Sequence, residues 1–261
     1  MQDADQIVAT AHEMADAAAA AILPHFRQAG LAADNKLLEG FDPVTAADRA
    51  AELAMREVLA RRRPADAILG EEFGTQAGES GLTWVLDPID GTRAFLCGAA
   101  SWGVLIGLTD DTGVRYGLID QPYTGERFEG GLGRARHLRA GIETPLSVRG
   151  TTRLAEARLM TTFPEIGSPA EAAAFRNVAE HVQLTRYGLD CYAYGLLALG
   201  QIDLVIEAGL QAYDIAGPLA VVEAAGGIVT NWQGGPAHEG GQVVAAASPV
   251  LHRATLDLLN R

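Results

Sequence analysis

The sequence predicts an α/β (α+β) chain in two lobes, and three observations carry that reading. Residues 3–27 place apolar side chains at helical spacing. Residues 103–131 read as consecutive strands divided by turn signals. Beyond about residue 145, strand-like and helix-like stretches alternate. The chain has 261 residues, 48% of them hydrophobic, which is enough for one large domain or two tightly joined lobes.

The elements follow in order. Ile7, Val8, Ala11, Met14, Ala15 and Ala18 mark a long amphipathic first helix. Residues 29–43 form a loop or hairpin that contains Lys36 and ends at Asp42-Pro43. Thr45 caps a second helix running to about Arg63, and Asp48, three residues on, completes a capping box. The strand AILGEEF (67–73) delivers Glu71 and Glu72, and a polar, Gly-rich loop covers 74–82. In WVLDPIDGT (84–92), three apolar residues of a buried strand lead into Asp87, Asp90 and a Gly91-Thr92 turn. Residues 103–109, 114–120 and 127–131 are strands of a meander. The second half then reads as strand 157–162, helix 169–181, strand 182–186, helix 190–200 and strand 202–208. A helix at 214–226, strands at 227–231 and 242–248, and a last helix at 249–260 complete it. The division falls between an N-terminal lobe, 1–143, and a C-terminal lobe, 144–261. Neither an internal repeat nor a low-complexity linker is present, so the lobes are expected to share a rigid interface.

Composition narrows the function. The formal charge is −13, and duplex binding needs clustered Lys and Arg, so nucleic acid is excluded as a partner. The one basic run, Arg61-Arg62-Arg63, reads as a helix C-terminus matched to its dipole. Cys97 and Cys191 stand far apart and outside any metal spacing, which argues for a reducing compartment. With no signal peptide and no run of about 18 apolar residues, the reading is a cytoplasmic protein without membrane contact.

Two acids and a glycine turn at a strand end gather carboxylates and backbone N–H groups at one spot. Hard cations take oxygen ligands and phosphates take N–H donors, so the spot suits a metal-bound phosphate. The plainer alternative is an Asx-type turn in which Asp87 and Asp90 bind only nearby backbone. Glu71, Asp87 and Asp90 end predicted strands, and Asp214 opens the helix after strand 202–208. If these ends converge, four carboxylates meet. Like charges that close raise one another's pKa unless divalent cations neutralise them. Mg²⁺ is the natural choice for an all-oxygen site, and the sequence offers no His/Cys cluster for zinc.

DPVTAAD (42–48), GEEFG (70–74), WVLDPIDGTRAF (84–95) and YDIAGPLAVVEAAGG (213–227) resemble, in order, the motifs of the inositol monophosphatase superfamily. These are Mg²⁺-dependent phosphomonoesterases, and the resemblance covers nearly the whole chain. It implies a layered αβαβα sandwich of the inositol monophosphatase/fructose bisphosphatase type, two or three Mg²⁺ per site, a homodimer, and hydrolysis by a metal-activated water. It also implies that Glu71 and Asp87, helped by the Ile89 carbonyl, bind one metal, and that Asp87, Asp90 and Asp214 bind another. Gly91 and Thr92 would offer backbone N–H groups to the phosphate. The Thr92 hydroxyl would contact the nucleophilic water, and Asp48 would orient Thr92 and help activate that water. Lys36 resembles a family lysine near the metal loop.

For the substrate, a small phosphorylated metabolite, the details point to one branch. Inositol-specific relatives usually carry DGT-x-NF-x-H, where this chain has Arg93-Ala94-Phe95 and Cys97. IDQPYTGERFEGG (119–131) and residues 186–214 resemble the histidinol-phosphate phosphatase branch instead. The resemblance puts Arg93, Asp190 and Glu207 on the substrate side. Two acids facing the leaving group suit a cation, and histidinol phosphate carries an ammonium and an imidazole. Tyr192, Tyr194 or Trp102 would pack on the ring. The plainer readings are a helix N-cap for Asp190 and a solvated strand end for Glu207. The alternative function is an inositol monophosphatase or a broad-specificity phosphatase.

Overall fold

The computed structural model describes residues 2–28, 34–35 and 43–261; Lys36 and Asp42, within 36–42, lie outside them, as do 29–33. Helix α1 spans Gln2–Ile22 and stops short of the predicted end. Pro24 is the reason: it has no N–H, and its ring clashes with the preceding turn. Two short strands, β1 (Asp34–Asn35) and β2 (Pro43–Val44), pair antiparallel. Helix α2 (Ala46–Arg62) follows, with Thr45 as its cap. Next come β3 (Ala67–Gly70), β4 (Gly74–Gln76), β5 (Thr83–Asp90) and the short helix α3 (Thr92–Leu96). The meander is β6 (Gly103–Asp110), β7 (Gly113–Gln121), β8 (Glu126–Gly131), β9 (Arg134–Arg139) and β10 (Ile142–Pro145). The second half runs β11 (Arg158–Thr161), α4 (Pro169–Ala179), β12 (Leu184–Tyr187), α5 (Tyr192–Ala198) and β13 (Leu204–Leu210). It ends with α6 (Ala212–Ala224), β14 (Ile228–Thr230), β15 (Gly241–Ala246) and α7 (Pro249–Leu259).

An eight-stranded sheet has the order β10-β9-β8-β7-β6-β5-β3-β4, and a five-stranded sheet the order β12-β11-β13-β15-β14. Period-two alternation along the strands sends successive side chains into different layers. Val104, Ile106 and Leu108 face α1 and α2, whereas Leu105 of the same strand faces α5 and α6. In the second sheet Val205 joins that middle layer, and Leu204 and Ile206 pack against α4 and α7. The result is the αβαβα sandwich, with α5 and α6 shared by both sheets. The boundary read at 143/144 falls within β10.

Strands β4, β9 and β10 and helix α3 were not predicted. β9 reads RARHLR and carries no alternating apolar signal. It forms because Arg136 pairs with buried Glu129 and Arg134 with Asp5. Two-residue turns with positive φ close both hairpins, Leu132-Gly133 before β9 and Ala140-Gly141 after it, the geometry that matches strand twist. Helix α6 lies close on the eight-stranded sheet. A Cβ at Gly117 would stand 2.1 Å from the Gly217 carbonyl oxygen, so only glycine admits this close approach to the middle of α6. Among the described residues, no helix is long and apolar enough to cross a membrane.

Candidate active site

The site begins with a defect in β5. Asp87 opposes Leu105 and Asp90 opposes Gly103, so three steps on β5 match two on β6. This bulge holds Pro88, which has no N–H to give a ladder. Regular alternation would turn Asp87 and Asp90 to opposite faces; the extra residue turns both inward. Asp214, in the first turn of α6, joins them, and the three carboxylates offer oxygens within 4.8 Å of one another. Asp214 Oδ2 also accepts the Gln211 N–H at 2.7 Å, which holds the side chain over the helix start.

Glu71 stands just past β3, where its N–H donates to the Leu86 carbonyl at 3.2 Å, and its carboxyl hydrogen-bonds Asp87. Burial, then the charges of Glu71, Asp90 and Asp214, push the Asp87 carboxyl well above the usual carboxylate range. Burial, then the charges of Asp214 and Asp190, do the same to Asp90, against a 2.7 Å hydrogen bond from the Cys191 N–H. An all-oxygen set of crowded acids fits hard divalent cations, whose charge relieves this repulsion.

Gly91 has φ +82 and turns the chain from β5 into α3. The Thr92 hydroxyl donates to the Ile89 carbonyl at 3.1 Å. Asp48 Oδ2 accepts the Thr45 N–H at 2.8 Å and the Thr45 hydroxyl at 2.5 Å, so the capping box is formed. Asp48 thus bonds Thr45, while the Thr92 hydroxyl bonds Ile89. Burial pushes Asp48 up to about 6, with Glu72 and Glu71 adding to the shift.

Across the cleft, Asp190 is not a helix cap. It has φ +45, a conformation Asp tolerates better than most residues, and its Oδ2 accepts the Ser101 hydroxyl at 3.1 Å. Burial raises its pKa, while the Ser101 bond and the nearby Arg93 charge lower it. Glu207 is not a solvated strand end. It is 6% exposed and accepts from Thr162 N (2.7 Å), Thr162 Oγ1 (3.0 Å) and Thr161 Oγ1 (3.2 Å). Burial pushes it up to about 7. Asp90, Asp190, Glu207 and Asp214 line one cleft, with Thr162, Cys191, Tyr194 and Leu210. Cys191 is buried and raised by desolvation, a packed residue rather than a nucleophile.

Sequence reasoning missed Glu52 of α2. Its buried carboxylate accepts the N–H groups of Glu72 (2.7 Å) and Phe73 (3.2 Å) and pairs with Arg56 at 2.8 Å, which fastens the turn that carries Glu71. A lone Glu in a helical stretch gave no signal. It also missed Phe163, 44% exposed, over which the Arg93 guanidinium lies 5.1 Å from the ring centroid.

Comparison with known proteins agrees with this geometry. The sequence profile described as the inositol monophosphatase family matches residues 3–261. The chain is 40% identical over 232 residues to a chloroplastic bifunctional phosphatase, IMPL2, of Arabidopsis thaliana, covering 88% of this chain and 65% of that protein's length. It is 34% identical to a histidinol-phosphatase of Mycobacterium tuberculosis, over 84% of this chain and 85% of that one. The solved structure of an inositol monophosphatase from Zymomonas mobilis superposes with a TM-score of 0.86 at 40% identity, covering 98% of both chains.

Proposed function

The chain belongs to the inositol monophosphatase family, and from that premise we propose that it is a Mg²⁺-dependent phosphomonoesterase that hydrolyses histidinol phosphate to histidinol and phosphate. The observation that carries the substrate is that Asp190 and Glu207 line the same cleft as Asp90 and Asp214. The phosphate end and the organic end of one small molecule thus face acids of different use. An ammonium and an imidazole N–H are donors for Asp190 and Glu207, and charge-assisted bonds of this kind are strong where water is excluded.

Glu71, Asp87, Asp90 and Asp214, with the Ile89 carbonyl, would hold the cations, two or three in number. Bound there, divalent cations supply an activated water and neutralise the phosphate oxygens. The backbone N–H groups of Gly91 and Thr92, at the start of α3, have no acceptor within that helix and would donate to the phosphate. Thr92 donates to Ile89, which leaves its hydroxyl lone pairs to accept from the attacking water. Asp48, which burial pushes up to about 6, would take up a proton from that water. Arg93 brings its charge to bear on Asp190. A cytoplasmic homodimer completes the proposal.

The test is phosphate release from histidinol phosphate and from inositol 1-phosphate, each with Mg²⁺ and with chelator. A Mg²⁺-dependent preference for histidinol phosphate is expected. Preference for inositol 1-phosphate, or equal turnover of both, would overturn the substrate and leave the metal chemistry standing. Full activity in chelator would overturn the metal dependence.

A further inference from the structure

Of the three aromatics expected to meet the substrate, one, Tyr194, lines the cleft. Trp102 is fully buried beneath Phe26 and Phe95. Tyr192 donates to Glu126 at 2.5 Å and packs edge-on against Phe128. Tyr194 is buried in the cleft wall, 3% exposed. Phe163, by contrast, is 44% exposed and directly follows Thr162, which lines the cleft. The residue before it, Thr162, is bonded twice to Glu207, which ties the start of its loop to the substrate side of the site. Arg93 lays its guanidinium over the ring, 5.1 Å from its centroid, and the same charge acts on Asp190. The ring therefore follows a residue bonded to Glu207 and receives on its face a cation whose charge acts on Asp190.

We infer that Phe163 is a specificity-determining residue: its ring is the apolar wall on which a flat, cationic organic group lies while Asp190 and Glu207 take that group's N–H donors. The inference rests on the substrate class proposed above. Chemically, an aromatic face attracts a cation and offers a plane for a planar heterocycle. A wall of this kind acts on binding, not on phosphoryl transfer, because it touches neither phosphate nor metal acids.

The test uses the full chain with Mg²⁺ and compares histidinol phosphate with glycerol 2-phosphate, whose organic part is neutral and has no ring. For Phe163→Ala and Phe163→Leu, KM for histidinol phosphate is expected to rise about tenfold with kcat nearly unchanged, and glycerol 2-phosphate kinetics to stay within about twofold. Phe163→Tyr, which keeps the ring, is expected to restore the wild-type KM. Equal losses on both substrates, or no change on either, would overturn the inference while wild-type preference for histidinol phosphate keeps the proposed function intact. Absence of that preference in the wild type would overturn the proposed function, and this inference with it.

Discussion

Asp190 and Gly91 touch across the cleft: a Cβ built at Gly91 would stand 2.9 Å from the Asp190 Cγ. The phosphate turn and the substrate-side acid therefore share one contact. Gly91 also sits at φ +82, where an L side chain is strained by roughly 1–2 kcal/mol. Gly91→Ala is expected to lower kcat/KM at least a hundredfold on any phosphate ester, since both the turn and Asp190 must shift. Steady-state kinetics on two esters, with circular dichroism to check the fold, measures this.

Asp190→Ala separates binding of the organic group from phosphate chemistry. A charge-assisted hydrogen bond to a cation contributes about 1.5–3 kcal/mol, so kcat/KM for histidinol phosphate is expected to fall roughly 10- to 150-fold. The loss on glycerol 2-phosphate is expected to be several times smaller. Parallel losses on both esters would remove Asp190 from substrate recognition.

Glu207 gives the metal-free protein a pH dependence of defined sign. Its folded pKa, about 7, lies above the unfolded value, 4.5, because burial disfavours the charge. The folded state thus holds a proton that the unfolded state has released, and stability falls as pH rises from about 4.5 through 7. The full difference is on the order of 3 kcal/mol. Melting temperatures of the metal-free protein are expected to drop over this window, and Glu207→Gln is expected to flatten the drop. The raised pKa of Asp87 and Asp90 acts in the same direction. Added Mg²⁺ is accordingly expected to raise the melting temperature more at pH 8 than at pH 5.

Glu52 supports the metal site without belonging to it. Glu52→Ala strands the Arg56 charge and two N–H groups, and breaking a buried pair costs about 3–5 kcal/mol. Mg²⁺ affinity, read by calorimetry, is expected to fall about 10- to 100-fold, as for groups that orient metal ligands. Unchanged Mg²⁺ affinity in a folded variant would confine Glu52 to stability.

The elements legible in the sequence were those whose signal is local. Thr45 and Asp48 announced a capping box, and the box is formed. The apolar run before Asp87 announced a buried strand, and Trp84 and Leu86 are fully buried. What stayed hidden depends on partners distant in the chain. β9 exists through Glu129 and Asp5, not through its own residues. The bulge that turns Asp87 and Asp90 to one side is a mismatch between two strands, which one strand's sequence does not display. The sequence placed Glu207 on the substrate side but did not display the Thr161 and Thr162 bonds that bury it.

The shared middle layer has a consequence for synthesis. Asp87 and Asp90 leave the ribosome roughly 120 residues before Asp214, and at roughly 5–20 residues per second that interval lasts about 6–24 s. Throughout it the nascent chain carries two of the three converging acids and lacks the helix that seats between the sheets. Phosphatase activity therefore arises only after α6 has been made, and a chain cut short before α6 lacks Asp214 and the acid cluster it completes.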